Sequence, residues 1–425
     1  MLDLKFIRES PDVVRAAVKH KHEKADVDRI LALDAETRRI QVEVDGLRGE
    51  LNRASEEVKK RKQAKQPADD LIATNREIGG RIKAGEERLR AVEGERDELL
   101  RWVPNVPAPD VPVAEGAEGN VEVRRWGVPR PFGFKPKAHW DLGAALRLFD
   151  DLRASKLSGS NFLLFTGRGA RLERALVNFM LDLHTRQHGY TEIAPPYLVN
   201  RASMFGTGQI PKLEADMYRL PDDDLFLIPT AEVPVTNIHR DEVLKAEQLP
   251  VRYTAYSACF RREAGAYGKD TRGLVRVHQF DKVELVKLAH PDRSYEELES
   301  LTKDAEAVLQ ALGLPYRVML LSTGDLSFAS AKTYDLEAWA PGLDRWLEVS
   351  SCSNFEAFQA RRANIRFRDA DGKMRHVHTL NGSGLALPRV VIALLETYQE
   401  ADGSVAIPSA LRPYMDGMER IGSGS

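Results

Sequence analysis

Leu274-Val275-Arg276-Val277-His278-Gln279-Phe280-Asp281-Lys282-Val283-Glu284-Leu285-Val286-Lys287 reads as a β-strand with two unlike faces. Its even positions carry Arg276, His278, Phe280, Lys282 and Glu284. Its odd positions include Val275, Val277, Val283 and Leu285, with Gln279 and Asp281 as exceptions. Successive strand side chains point to opposite sides, so one face is apolar and the other is equipped for chemistry. A solvated polar face would explain the charges. It would not explain the ring of Phe280 among them, and a binding face explains both.

Outward from this strand, Val251 to Glu263 alternates in the same way and ends in Phe260-Arg261-Arg262-Glu263. A loop rich in Gly and charge, Ala264 to Gly273, joins the two strands. An antiparallel hairpin sets Arg261 and Glu263 beside the polar face. The planar fork of arginine suits a phosphate because it bonds two oxygens at once. Upstream, Leu172, Leu176, Phe179, Met180 and Leu183 mark a helix. The stretch Gly189-Tyr190-Thr191-Glu192-Ile193-Ala194-Pro195-Pro196-Tyr197-Leu198 then reads as a short strand with a proline stop.

Downstream, Trp346-Leu347-Glu348-Val349-Ser350-Ser351-Cys352-Ser353-Asn354 is a strand whose polar residues gather at one end. Glu348 with a serine hydroxyl suits Mg²⁺ through oxygen ligands. A buried carboxylate bonded to local hydroxyls is an equal reading, and strict alternation points Glu348 and Ser351 to opposite faces. Asn381-Gly382-Ser383-Gly384-Leu385-Ala386-Leu387-Pro388-Arg389 precedes the apolar stretch Val390 to Leu395. Small residues there would let a ligand approach the backbone. The segment is neither a P-loop nor a dinucleotide fingerprint.

The N-terminal part is built differently. Ser10-Pro11-Asp12 opens a first helix, with Ser10 as N-cap, Pro11 in the first turn and Asp12 against the dipole. Ile30, Leu33, Thr37, Ile40, Val44, Leu47, Leu51, Ala54 and Val58 alternate spacings of three and four, a heptad seam. A weaker seam runs through Leu71, Asn75, Ile78, Ile82, Gly85, Leu89, Val92, Arg96, Leu99 and Val103. Between them Lys65-Gln66-Pro67-Ala68 allows only a reversal. A dimerisation coiled coil and an antiparallel hairpin both fit the seams, and the tight turn favours the hairpin. Each arm would be roughly 50 Å long at 1.5 Å per residue. The tip carries Lys59, Lys60, Arg61, Lys62 and Lys65. Such a run is usually a solvated face; at the end of a long arm it is also where a phosphate backbone would be held.

The bulk numbers set bounds. In 425 residues, 62 Lys and Arg face 64 Asp and Glu, for a net charge of −2. Nucleic-acid binding must therefore use a local basic patch. Cys259 and Cys352 make neither a disulfide framework nor a zinc ribbon, so no zinc is expected. Acidic residues interrupt the start where a signal peptide needs an apolar run, and no stretch reaches a membrane span. A soluble cytoplasmic protein with no membrane contact is the expectation. Residues 104–136, rich in Pro, Gly, Val and Ala, read as a surface linker between an N-terminal unit over 1–103 and a second unit over 137–425. The tail Gly422 to Ser425 reads as frayed.

Taken in order, three segments resemble the signature motifs of class II aminoacyl-tRNA synthetases. Gly189 to Pro196 resembles the first, whose implied role is a homodimer interface. Phe260-Arg261-Arg262-Glu263 with Arg276-Val277-His278-Gln279-Phe280 resembles the second. Gly382 to Arg389 resembles the third, with Ala386 where a third glycine is common and Pro388 before the arginine. Thr230-Ala231-Glu232, Glu348-Val349-Ser350-Ser351, Phe280-Asp281-Lys282-Val283-Glu284 and the helical arm narrow the likeness to the seryl-tRNA synthetase family.

The resemblance covers essentially the whole chain. It implies an α+β fold: an antiparallel helical hairpin, then a class II catalytic domain on an antiparallel β-sheet flanked by helices. It implies activation of serine with ATP and Mg²⁺, then transfer to tRNA(Ser), with tRNA(Sec) a candidate second acceptor. By the same resemblance Arg261 grips the α-phosphate and Glu263 reads the adenine amino group. Phe280 and Arg389 sandwich the adenine, Arg389 also reaching the γ-phosphate. Glu348 and Ser351 hold Mg²⁺, and Arg262, Val277, Val349 and Ser350 complete the ATP site. Thr230, Ala231, Glu232, Glu284, Asn381 and Ser383 surround serine. Arg261, Arg389 and Glu348 are the implied catalytic residues, and the basic tip takes the tRNA. Two rivals stand beside this reading. An amino acid ligase loading a carrier protein would differ in its acceptor, and a non-catalytic coiled-coil protein would turn over no ATP.

Overall fold

The computed structural model describes residues 1–264 and 272–422. Most of the loop expected over Ala264 to Gly273, and Ser423 to Ser425 of the tail, lie outside the described residues. The chain forms two compact units, Met1–Pro104 and Asn105–Ser425.

The first unit opens with two short helices, α1 (Leu4–Glu9) and α2 (Pro11–His20). Helix α1 was not expected; Asp3 caps it by accepting from the Lys5 N–H. Ser10 stands at the N-cap of α2 but makes no side-chain capping bond. It also ends α1, donating its N–H to the Phe6 carbonyl, and that double duty sets its backbone. Pro11 and Asp12 occupy the first turn as expected.

Two long helices follow, α3 (Val27–Gln63) and α4 (Asp69–Leu100). They run antiparallel, since Arg29 pairs with Glu95, Glu36 with Arg88 and Arg48 with Glu86. The seam residues Ile30, Leu33, Ile40, Val44 and Leu47 are buried, while Leu51, Ala54 and Val58 toward the tip are only partly covered. Two weak positions of the second seam acquire reasons. The Asn75 amide donates to the Ser55 hydroxyl at 3.3 Å. A Cβ on Gly85 would stand 2.6 Å from Val44 Cγ2, so the glycine lets the helices close. At the tip Lys59, Lys60, Lys62 and Lys65 are exposed, whereas Arg61 is held by Asp70 at 3.1 Å.

In the second unit, eight strands among the described residues form one sheet. They are β1 (Val121–Trp126), β2 (Thr191–Glu192), β3 (Val251–Phe260), β4 (Gln279–Ala289), β5 (Tyr316–Leu320), β6 (Lys332–Ala340), β7 (Arg345–Asn354) and β8 (His378–Ala386). Their order is β1-β5-β6-β7-β8-β4-β3-β2, antiparallel throughout except for the β2–β3 pair. The stretch read as a linker over 104–136 therefore holds an edge strand. It is also anchored: the buried Asn105 amide donates to the Ala329 and Phe355 carbonyls at 2.9 Å each.

Helices α5 (Arg168–Gln187), α6 (Ser294–Ala311) and α7 (Leu387–Thr397) share one apolar core with the sheet. Val283, Leu285 and Ala289 of β4 enter that core beside Leu176, Leu301 and Val391. The even positions of β4 face the other way, as the alternation predicts. Strand β4 starts at Gln279 rather than near Leu274, because the preceding backbone is engaged elsewhere. The Leu274 N–H donates to His139 Nε2 at 3.1 Å and the His278 N–H to the Asn161 carbonyl at 2.9 Å.

Candidate active site

On the sheet face opposite those helices lies a cavity of about 640 Å³. Antiparallel pairing sets Cys259 opposite Phe280, Ser257 opposite Lys282 and Ala255 opposite Glu284. Phe280 and Lys282 therefore line the cavity. Just past the end of β3, Arg261 folds over Phe280, its guanidinium carbon 5.2 Å from the ring centroid. Glu263, two residues on, pairs with Arg276.

The expected serine residues meet at one corner. Thr230 donates its hydroxyl to Glu284 Oε2 at 2.8 Å, and Lys282 Nζ reaches Thr230 Oγ1 at 2.9 Å while pairing with Glu284. The Asn381 amide approaches Glu284 Oε1 at 3.4 Å. Glu284 itself lies just beneath the cavity surface, 1% exposed, while Thr230, Glu232, Asn381 and Ser383 line it. Burial, and next the Glu284 charge, push the Glu232 carboxyl up to about 7. Ala231 does not reach the cavity; it packs with Val235, Ala255 and Val286.

A bulge arranges the opposite wall. The β6–β7 register slips between Glu337↔Glu348 and Leu336↔Ser350, which leaves Val349 as an extra residue. The parity of the strand changes there, so Glu348 and Ser351 both line the cavity, with Val349 and Ser350 between them. Strict alternation had them on opposite faces. Behind Ser351 stands Asp335, its cross-strand partner, whose Oδ1 is buried without a hydrogen bond.

Arg389 enters from the first turn of α7, where Pro388 loses no helical hydrogen bond. It donates to the Val275 carbonyl at 3.2 Å and pairs with Glu348 at 3.1 Å. The small residues before it do not serve ligand approach as expected. A Cβ on Gly382 would strike Leu301 and come within 3.0 Å of Cys352 Sγ; one on Gly384 would come within 3.0 Å of His184. Both glycines let the sheet sit close to its helices, and only Ser383 between them faces the cavity. Arg262 also turns away. It was expected to complete the ATP site, but its guanidinium lies 5.7 Å from the Tyr218 ring centroid, away from the cavity, because it sits between Arg261 and Glu263, which face it.

Among the lining or bordering residues that were not expected in the site, Arg276, Lys282 and Gln359 bond its carboxylates. Arg276 and Lys282 were already visible at even positions of the strand pattern. Gln359 had no signal: it belongs to the short helix Phe358–Arg362 and bonds Glu232 across 127 positions. Val277 lines the cavity as expected.

Three carboxylates here are each tied to a cation: Glu263 to Arg276, Glu284 to Lys282 and Glu348 to Arg389. The resulting wall offers two arginines and an aromatic ring on one side and a compact polar corner on the other.

Known proteins match this arrangement along its whole length. The family profile for the seryl-tRNA synthetase N-terminal domain matches residues 1–107. The profile for the tRNA synthetase class II core domain (G, H, P, S and T) matches residues 215–398. The serine–tRNA ligase of Caldanaerobacter subterraneus subsp. tengcongensis is 57% identical over 416 residues, 98% of each chain. The chain belongs to the seryl-tRNA synthetase family. Among solved structures, seryl-tRNA synthetase from Pyrococcus horikoshii complexed with ATP superposes with a TM-score of 0.94 at 40% identity, covering 99% of each chain. Cytoplasmic serine–tRNA ligase from Naegleria fowleri in complex with AMP gives 0.91 at 29%, covering 100% of this chain and 99% of that one. With the family comes ATP-dependent ligation of serine to tRNA, and neither rival reading is favoured. Among the described residues no helix is long and apolar enough to cross a membrane.

Proposed function

We propose that the cavity performs both half-reactions with the following division of labour. Arg261 holds the α-phosphate, Phe280 and Arg389 clamp the adenine, and Glu263 reads its amino group. Thr230, Glu232, Glu284, Asn381 and Ser383 hold serine. The carrying observation is the convergence on one cavity of Arg261 over Phe280, Arg389 against Glu348, and Glu284 bonded to Thr230.

The serine carboxylate is ionised at neutral pH and attacks the α-phosphorus directly, so no general base is required. A bond forms from its oxygen to phosphorus and the bond to pyrophosphate breaks. Arg261 meets the charge that develops on the α-phosphate oxygens, and the remaining residues hold the reactants in line. In the second step a hydroxyl of the terminal tRNA ribose attacks the acyl carbon and AMP leaves.

Glu348 and Ser351 offer the hard oxygen donors that suit Mg²⁺, and burial and the Glu348 charge hold the neighbouring Asp335 carboxyl well above the usual carboxylate range, so a bound cation would favour its ionised form. Bound Mg²⁺ supplies Lewis-acid stabilisation of the phosphates. Glu348 must first leave Arg389, which frees that guanidinium for ATP.

The exposed tip lysines 59, 60, 62 and 65 suit the backbone of tRNA(Ser). A homodimer belongs to the same reading, supported by the likeness of Gly189 to Pro196 to the class II interface motif.

Glu284→Ala tests the amino-acid corner. Truncation leaves Lys282 and Thr230 without their acceptor, so the serine KM in ATP–pyrophosphate exchange should rise about 100-fold or more. The Kd for ATP should change less than about 3-fold. Unchanged serine kinetics would refute the assignment.

A further inference from the structure

Glu232 differs from the three other glutamates of the cavity. It has no cation partner among the described residues, although it is 5% exposed. Glu284, Lys282 and Arg261 are the charged groups that bear on it. What it does have is Gln359. The Gln359 amide donates to Glu232 Oε1 at 2.6 Å and to the Thr207 carbonyl at 3.0 Å. Its own oxygen accepts from the Thr379 hydroxyl at 2.7 Å.

The amide is fully buried and its orientation is fixed, because the Thr207 carbonyl can only accept and so takes the NH2 end, leaving the amide oxygen to the Thr379 hydroxyl, which donates to it. With Oε1 held, the other carboxylate oxygen is left for a ligand in the cavity that Glu232 lines. A buried carboxylate without a counter-ion is costly, and it becomes favourable when a substrate brings the cation. Serine has one cation, its α-ammonium.

We infer that Gln359 is a positioning residue that aims the Glu232 carboxylate at the α-ammonium of the amino acid, and so selects α-amino acids over their α-hydroxy counterparts. This rests on the assignment of the cavity corner to serine. Gln359 touches no substrate in this scheme. Its effect passes through the geometry and ionisation of Glu232.

The test is serine-dependent ATP–pyrophosphate exchange by the full chain and its Gln359→Met variant, with glycerate as a competing ligand that has serine's carboxylate and hydroxyl but no ammonium. Loss of a bond to a charged group should raise the serine KM about 10- to 100-fold, with the ATP KM within about 2-fold of its original value. The glycerate inhibition constant should move less than about 3-fold. The donated bond favours the ionised carboxylate, so its loss raises the Glu232 pKa. The acid limb of serine kcat/KM should then shift to higher pH, which a purely structural defect would not do.

Thr379→Val, which removes only the hydroxyl that fixes the amide, should give the same pattern at about 3- to 10-fold and covers the case of a poorly folded Gln359→Met. An unchanged serine KM in both variants, or serine and glycerate affinities falling together, would overturn the inference alone. No serine-dependent exchange by the unsubstituted chain would overturn the assignment of the corner as well.

Discussion

The hairpin and the cavity both bring carboxylates and cations together, but in opposite surroundings. Arg48 and Glu86 across the hairpin have side chains 51% and 41% exposed; Lys282 and Glu284 in the cavity are 6% and 1% exposed. Exposed pairs contribute about 0–1 kcal/mol each, and water screens them. The hairpin therefore depends on its apolar seam, and its charges mainly keep the arm soluble and set its register. The buried Lys282–Glu284 pair carries a desolvation cost that the attraction between partners only partly offsets. Arg389 and Glu348, 25% and 47% exposed at the cavity mouth, are instead open to exchange, the arginine for a phosphate and the carboxylate for a metal ion. One region uses charge to stay apart from water-excluding chemistry, and the other holds charge ready for it.

That contrast predicts separable failures. Replacing Lys59, Lys60, Lys62 and Lys65 together by alanine should lower kcat/KM for tRNA charging about 10- to 100-fold and flatten its salt dependence. Pyrophosphate exchange should be unaffected. If both half-reactions fell together, the arm would have a different role.

A smaller effect concerns Glu173 on α5, pushed up to about 8 by burial and then by Asp281, with no cation paired to it among the described residues. A raised folded pKa means the protonated form suits the fold. Stability is lost as pH rises from the unfolded carboxyl range through about 8. Glu173→Gln should therefore stabilise the chain by about 2–4 kcal/mol at pH 8, the lower value allowing for its partial exposure, and leave it nearly unchanged near pH 4.5. Thermal unfolding at the two pH values measures this. No gain at pH 8 would mean that a cation covers Glu173 in solution.

Smallest is Gly85→Ala. Helix propensity gains about 1 kcal/mol, but the added methyl meets Val44, and overpacking costs about 1–3 kcal/mol. A net loss of about 1 kcal/mol is expected in denaturant unfolding. A net gain would show that the helices separate without penalty.

The same contrast explains what the sequence made legible. A seam with spacings of three and four is a local signal, so both arms of the hairpin were readable from Ile30 to Leu99; Val103, read as its last position, lies past the end of α4 and packs with Ile7 and Val14. Gly85 looked like a defect because its reason, Val44, stands across the other helix. The strand face from Phe280 to Glu284 was equally local, whereas Arg276 and His278, read as part of it, precede the strand, and His278 does not line the cavity. Glu348 and Ser351 were not resolvable as a pair, since a bulge at Val349 is a property of how β6 and β7 fit, not of the residues themselves. The glycines of the last motif pointed to ligand approach, whereas Leu301, Cys352 and His184 behind the sheet account for them. Gln359 stood beyond any pattern because only tertiary folding brings its helix to Glu232. Helix α1 escaped for a simpler reason: at six residues it is too short for periodicity to mark.

On this division of labour the cavity alone selects and activates serine, without help from the acceptor. Amino-acid-dependent ATP–pyrophosphate exchange by the full chain, run with Mg²⁺ and without tRNA for each of the twenty amino acids, tests it most directly. Exchange with serine and with no other amino acid is the expected result. Exchange with a different amino acid, or none until tRNA is added, would contradict it.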